Sequence, residues 1–556
     1  MTDRSEKLVK AIAICAMISA ALGSMPSPAA TDETRSLENG AGVDTNLSPR
    51  AEPGTDVPGS PYTWPAYDPS LNYNFRTDYP NIKPPTKILD DCSGVVETVT
   101  SEWWCFRYGP NKNTLVTSAA WLPLLKRMDK EFAYFRDVMG WPPDKRAKQG
   151  YYSAIYLFGS GLDTDDASNT DLGGWMGSIY YKGEHWPMVL LSYYPVYSFD
   201  PACPYGDKAF QQGGCVHEGV HAILADMPGC RNAGWFHEGG NNWLQSTAIA
   251  RQTGNYSSMG WLSAGAMLAP FMPIECYSGW LQDDSFGGPS AEGVNRYIEG
   301  THTQLCTWRR LLGGTQYGEC FATFMGECVS PGSIAWIWQN CKTRVLEGLA
   351  NTTGGLGDEQ TRRLIKEFRG RQAMCDFGKW SRAYRSLLNN NWGLVIRAEY
   401  PPIWIDCQPW TATCYVVTTN KDGTLTPETR TLPAWSGGNQ IPLTVSGTGT
   451  IDVNFQPLGE NMSCQLVYRA EDGSVVYSVP VTSGTCSLSL QKPVMNKVVI
   501  AVICNTDYVF KGESSRTTKY DYRLKLGTGI TGTADINEKW WDKVSEAEAV
   551  NRLQLR

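Results

Sequence analysis

Histidine is scarce in this chain. Its 556 residues include only five, so any imidazole chemistry must be drawn from those few positions. Positive charge is not in excess either. The 49 Lys and Arg residues are outnumbered by 56 Asp and Glu, giving a net charge of −7. A chain with no basic surplus has little to neutralise phosphates, so nucleic acid is not an expected partner. Beyond the N-terminus no apolar run approaches the ~20 residues that a membrane-spanning helix needs, so no transmembrane segment is expected in the mature chain. The 17 cysteines contain no CxxC pair, which argues against zinc-finger use. There is no GxSxG elbow, no P-loop and no convincing dinucleotide fingerprint. No repeat of fixed period is present.

What is present describes a large folded, exported protein. Hydrophobic residues make up 42% and charged residues 19%, which excludes disorder as the global state. Arg4, Lys7 and Lys10 precede an uncharged apolar stretch at 11–23 and the small residues SMPSPAA. That is the layout of a secretory signal peptide, expected over residues 1–29, and it predicts a secreted, extracellular protein. Removing Cys15 with the signal leaves 16 cysteines, an even number that suggests a disulfide-rich chain in an oxidising compartment. Residues 30–85, rich in Pro, Gly, Ser and Asp, read as a flexible linker or propeptide.

Downstream the pattern changes twice. From 86 to 400 helical and strand-like stretches mix. Leu122, Leu125, Met128, Phe132 and Phe135 recur at helical spacing within 118–141. YYSAIYLF (151–158) and PMVLLSYY (187–194) read as strands, and 212–225, 236–250 and parts of 294–395 as helices. From 401 to 535 short β-branched runs alternate with Gly, Asn and Ser turns, the signature of a β-sandwich domain. Residues 536–556 form a C-terminal tail. The expected fold class is α+β.

The chemistry concentrates in residues 213–245. His217-Glu218-Gly219-Val220-His221 is an H-E-x-x-H motif. On a helix, residues i and i+4 share a face, so both imidazoles can reach one Zn2+ ion. Glu218, between them, is placed to hold the water that zinc binds and to take its proton. Gly219 lowers helix propensity by about 1 kcal/mol relative to Ala, so tertiary packing must compensate. Sixteen residues separate His221 from Glu238, room for a turn and the start of a second helix. Glu238 is the expected third ligand, which would complete a His, His, Glu hydrolytic zinc site. His237 is its rival, about 100° away on the same helix, so both cannot serve. Asn242, one turn further on, is positioned to orient a ligand imidazole.

With Trp235-Phe236-His237-Glu238-Gly239 on the second helix, the pair of motifs resembles the gluzincin branch of zinc metallopeptidases. More narrowly, the chain resembles the Svx-type secreted virulence proteins and their zincin-like relatives. The resemblance runs through SEWWCFRYG (101–109), the zinc motif and NQIPLTVSGTGTIDVNF (439–455). It implies a zincin-like metallopeptidase domain over 86–400 followed by the β-sandwich domain. It also implies His217, His221 and Glu238 as zinc ligands, and Glu218 as catalytic base. Thermolysin-like gluzincins carry Asp four residues after the ligand Glu, where this chain has Asn242.

The reading is therefore a secreted zinc-dependent endopeptidase acting on an extracellular protein or glycoprotein. Two alternatives stand beside it: a catalytically inactive zincin-like protein that binds a surface or polymer, and a zinc hydrolase acting on a glycan or glycoprotein. Weaker signals remain. Asp163, Asp165, Asp166, Asn169 and Asp171 gather enough oxygen to suggest Ca2+, although the EF-hand positions fail at Ser168 and Gly174. Cys215 and Cys230 flank the first zinc helix and suggest disulfides that brace the site, their partners left open. His302, Tyr297 and Tyr277 are candidate oxyanion donors. Trp404, Trp410 and Trp435 are candidate sugar platforms. The strand-like GSIYY (177–181) could pair with an extended peptide.

Overall fold

A computed structural model of the chain describes residues 59–67, 71, 82–165, 174–191, 208–230, 233–257, 265–268, 270–275, 319–386, 388, 413–512, 514–515 and 518–536. These residues form a mixed α+β structure, with a largely helical middle region and antiparallel sheets toward the C-terminus.

The first strand, β1 (Pro61–Tyr62), belongs to a C-terminal sheet. The next five make a sheet of their own, in spatial order β2-β3-β4-β6-β5: β2 (Glu97–Thr100), β3 (Trp104–Tyr108), β4 (Ser153–Leu157), β5 (Gly174–Tyr181) and β6 (Glu184–Leu191). The central pairs β3–β4 and β4–β6 are parallel, while β5 runs antiparallel to β6 along the edge. Every residue of β3 and β4 is buried, because both faces of this sheet are covered. Trp104, Phe106, Ile155, Leu157, Val189 and Leu191 face the main core. Cys105, Ala154, Tyr156, Met188 and Leu190 face a smaller one. On that second side Asp91 is fully enclosed. It accepts from Arg107 Nη1 at 3.0 Å, and also from Arg146 and the Tyr156 hydroxyl.

Helix α1 (Ser118–Ala133) lies on the main-core face and widens into a π-turn at Tyr134–Val138. Leu125, Met128, Phe132 and Phe135 of the expected stripe are buried, but Leu122 is exposed and Leu124 takes its place. After the short α2 (Lys145–Lys148) come the two long helices that carry the motif, α3 (Lys208–Leu224) and α4 (Gly234–Thr253). Helix α3 packs against β5 and β6 on one side and against α1 and α4 on others. The described helices that follow are α5 (Gly265–Leu268), α6 (Glu319–Phe324), α7 (Ser333–Asn340), α8 (Val345–Asn351), α9 (Gly357–Met374) and α10 (Ser381–Ser386).

The C-terminal strands form two antiparallel sheets. They are β7 (Val417–Thr419), β8 (Thr424–Pro427), β9 (Gly438–Val445), β10 (Gly449–Pro457), β11 (Met462–Arg469), β12 (Val475–Ser478), β13 (Gly484–Leu490), β14 (Val498–Asn505), β15 (Tyr522–Leu526) and β16 (Ile530–Thr533). One sheet has the order β1-β12-β11-β14-β9-β16, the other β13-β10-β15-β8-β7. Their facing residues, among them Ile451, Val453 and Phe455 on β10 and Val499, Ala501 and Ile503 on β14, share one core. The alternate residues Ile500 and Val502 of β14 turn the other way, onto Ala373 and Met374 of α9. Burial on both faces explains why VVIAVIC is a continuous apolar run.

Part of the segment read as linker is built into this sheet. Pro61 and Tyr62 pair with Ser478 and Tyr477. Arg363 of α9 donates to the Pro65 carbonyl at 2.5 Å and lies over the Tyr67 ring, and the Tyr67 hydroxyl donates to Glu367 at 2.6 Å. Residues 59–67 thus strap the second sheet to α9.

The expectation of a disulfide-rich chain is not met among the described residues, where no disulfide joins any two cysteines. Cys215 and Cys230, expected in disulfides that brace the site, are both buried and unbonded. Nine further residues of α3 follow Cys215 before the helix ends at Leu224, about 14 Å at 1.5 Å per residue. Cys230 lies beyond that end with a left-handed φ of 58°, its N–H donating to the Cys341 carbonyl.

Candidate metal centre

Helix α3 presents His217 and His221 one turn apart, and α4 presents Glu238 in its second turn. Two amides fix the distance between these helices. Asn241 donates to the His217 carbonyl at 2.9 Å, and Gln245, one turn on, donates to the Gly213 carbonyl at 3.1 Å, one turn back. This antiparallel ladder leaves the Glu238 carboxylate facing both imidazoles. Glycines allow the close packing behind it. A Cβ at Gly240 would lie 2.5 Å from the Trp338 ring, and one at Gly229 only 2.0 Å from the Trp338 carbonyl oxygen.

The donor atoms converge. His217 Nε2 lies 3.0 Å from Glu238 Oε2, His221 Nε2 lies 3.2 Å from Glu238 Oε1, and the two Nε2 atoms are 3.2 Å apart. Donors about 2.0–2.1 Å from a tetrahedral zinc ion would be about 3.3 Å from one another, so these spacings fit. Two imidazole nitrogens and one carboxylate suit zinc or a similar transition ion and not the all-oxygen shells of calcium or magnesium. This is the only such group among the described residues.

Without an ion, the electrostatics of the group are those of a crowded proton-sharing cluster. Burial works against the Glu238 carboxylate, but the two imidazoles beside it hold its pKa well below the usual range. Burial likewise disfavours a charged His221, yet Glu238 lifts that imidazole to about 9. Burial pushes the Glu218 carboxyl up to about 7, against the pull of both histidines. Glu218 also accepts a hydrogen bond from the backbone N–H of Met176 on β5. Met176 shares its parity along β5 with Ser178, which is paired with Pro187, a residue that has no N–H to give. Among the described residues no other strand pairs with β5 on its side away from β6.

The structure brings His217, His221, Glu238 and Glu218 together. It places His237 elsewhere: its Nε2 lies 3.4 Å from the Gly229 carbonyl oxygen, and burial, with His221 next, pulls its pKa down to about 4. Asn242 makes no hydrogen bond to a ligand imidazole among the described residues. Asn241 joins the helices instead, a role that the sequence signalled only by an amide three residues after Glu238. Of the candidate calcium residues, Asp163 and Asp165 are described. Asp163 accepts from Ser93 N and Oγ at 3.0 and 2.7 Å and from Cys92, while Asp165 accepts from the N–H groups of Gly159, Gly161 and Leu162. These carboxylates tie down a turn. Asp166, Asn169 and Asp171 lie outside the described residues, as do His302, Tyr297, Tyr277, Trp404 and Trp410. Trp435 is 1% exposed and offers no face to a sugar.

No known protein family and no curated protein matches the chain.

Proposed function

We propose that the chain is a secreted zinc-dependent hydrolase of the gluzincin type that cleaves peptide bonds in an extracellular protein or glycoprotein. The observation that carries this reading is the convergence of His217, His221 and Glu238 with Glu218 beside them. His217 and His221 would hold the ion through Nε2 and Glu238 through its carboxylate. When bound, zinc supplies a Lewis acid that polarises a carbonyl and acidifies water.

The rest falls to the chain's own side chains. Glu218, adjoining both ligand imidazoles and the Glu238 carboxylate, is placed to accept a proton from water and return it to a leaving amine. Strand β5 packs beside α3 and has no second strand partner among the described residues, so an extended peptide lying along it would bring its carbonyl toward Glu218. The buried state of Trp435 removes one support from the glycan-directed alternative.

The test is elemental analysis of purified wild-type, His221→Ala and Glu218→Gln proteins, with a general protease assay on labelled casein. The expected result is one zinc per chain in wild type and Glu218→Gln, none in His221→Ala, and hydrolysis by wild type alone. Absence of zinc after its addition to folded wild type would overturn the metal reading. Zinc without hydrolysis of protein or glycan would favour the inactive, polymer-binding alternative.

A further inference from the structure

Although no disulfide joins two described cysteines, one pair faces a shared core from opposite sheets. Cys464 is on β11 in the six-stranded sheet, and Cys486 is on β13 in the five-stranded sheet. Both are fully buried in the core that the two sheets share. Cys464 occupies an inward position of the alternation Met462, Cys464, Leu466, Tyr468. The chain then crosses from one sheet to the other directly over it. Val481 exchanges two backbone hydrogen bonds with Cys464, at 2.8 and 2.9 Å, and β13 begins three residues later. This return brings Cys486 Sγ to 3.7 Å from the Cys464 carbonyl oxygen and to 3.3 Å from Ser478 Oγ, inside the core into which the Cys464 side chain also points.

The neighbouring thiol is oriented away. Cys504 on β14 is paired with Ser463, not Cys464, so its side chain projects to the opposite face of the sheet, where Ser463 Oγ lies 3.2 Å from its sulfur.

We propose that Cys464 and Cys486 are the partners of an inter-sheet disulfide that closes when the chain folds in the presence of a low-molecular-weight disulfide such as oxidised glutathione. One thiolate attacks the external disulfide, forms a mixed disulfide and releases one small thiol. The second thiolate attacks the protein sulfur of that mixed disulfide and releases the other. Two protein thiols are oxidised, one external disulfide is reduced to two thiols, and no further reactant is needed. Because both sulfurs are enclosed in the finished fold, the exchange belongs to the stage before the sheets close. The bond would fasten the two layers at the crossing and remove conformational freedom from the unfolded chain. The proposal is independent of the metal reading, since the pair lies in the shared core of the C-terminal sheets.

The test is thiol mapping on the full chain refolded with oxidised and reduced glutathione. Free thiols are blocked with iodoacetamide in denaturant without reductant, and the peptides are identified by mass spectrometry after digestion. The expected result is one linked species joining the Cys464 and Cys486 peptides, lighter than their sum by two hydrogens, with Cys504 absent from it. Alkylation of both cysteines, or linkage of either to another cysteine, would overturn the proposal. In Cys464→Ala the Cys486 thiol should become open to alkylation. The mapping reads the denatured chain, so this outcome is scored whether or not the variant attains the native fold. A Cys486 that stays blocked in that variant would also refute the pairing.

Discussion

Gly219, in the middle of the H-E-G-V-H turn, gives the sharpest test of how the metal helix is held. In isolation Gly219→Ala should stabilise α3 by about 1 kcal/mol, because alanine is the better helix former. The structure reverses that expectation. A Cβ at this position would lie 2.5 Å from Phe132 Cζ and 3.0 Å from Met128 Cε on α1. Carbon contacts settle near 3.5 Å, so the ring would have to retreat by about 1 Å. It has little room to do so. Phe132 packs edge-on against Trp104 at 4.8 Å and Phe135 at 5.1 Å, and Met128 is fully buried. Overpacking of this kind costs about 1–3 kcal/mol. Set against the propensity gain, the net expectation for Gly219→Ala is a loss of up to about 2 kcal/mol. The strain should also push α3 away from α1 and disturb the 3.0–3.2 Å spacings of the donor atoms, so zinc affinity should fall with stability. The assay is urea unfolding of wild type, Gly219→Ala, Phe132→Leu and the double variant, with zinc content measured on each. Shortening Phe132 opens the space that the new methyl needs, so the double variant should be more stable than the sum of the single losses by about 1 kcal/mol or more. A Gly219→Ala protein more stable than wild type, or a cycle with no coupling, would refute the close approach of α1 to the metal helix.

Other consequences follow from the same geometry. In metal-free protein, Glu218 with a pKa of about 7 and His221 with one of about 9 are both raised above their ordinary values of 4.5 and 6.5. A raised group favours folding below its unfolded value and loses that contribution as pH climbs through the folded one. Burial lowers His237 to about 4, so it offsets Glu218 between about 4.5 and 6.5; chelator-treated protein should therefore lose stability mainly as pH rises from about 6.5 through 9, and Glu218→Gln should turn the part below about 6.5 into a rise; equal slopes in thermal melts would contradict the assignment. Asp91→Ala leaves Arg107 and Arg146 enclosed without their shared counter-ion and should cost about 3–5 kcal/mol in urea unfolding; a loss below about 1 kcal/mol would mean that the cluster is hydrated in solution. Asn241→Leu removes the amide that grips the His217 carbonyl and should weaken zinc binding while leaving Glu238 in place, read as a higher dissociation constant against a competing chelator. Unchanged affinity would show that Gln245 alone aligns the helices.

The metal triad was legible because its signal is local. His217 and His221 are related by one turn of helix, and Glu238 required only that a second helix return beside the first. Helix α4 carries its own apolar face, with Trp243 and Leu244 buried, so its existence could also be read. The C-terminal strands were legible from alternation in β10 and from turn residues between the strands. What escaped depended on contacts distant in sequence. Nothing near Gly219 announces Phe132, yet that contact accounts for the glycine that helix propensity alone disfavours. The choice between Asn241 and Asn242 turns on a rotation of about 100° that only the α3 interface fixes. The acidic run at 163–171 looked like a cation loop because composition does not reveal that backbone N–H groups had already claimed Asp163 and Asp165. The cysteines are a related case: an even count suggests pairing but says nothing about which strands carry them past one another.

The strap at 59–67 also bears on the order in which the molecule can be completed. Tyr62 finds its strand partner at Tyr477, and Tyr67 its acceptor at Glu367. During synthesis the strap emerges early and must wait for nearly the whole chain before its docking surface exists. A ribosome-bound or C-terminally shortened chain would expose the stretch around Pro61 to proteases, whereas the finished protein would protect it. Protection of that short N-terminal stretch is thus a readout of whether the opposite end of the polypeptide has folded.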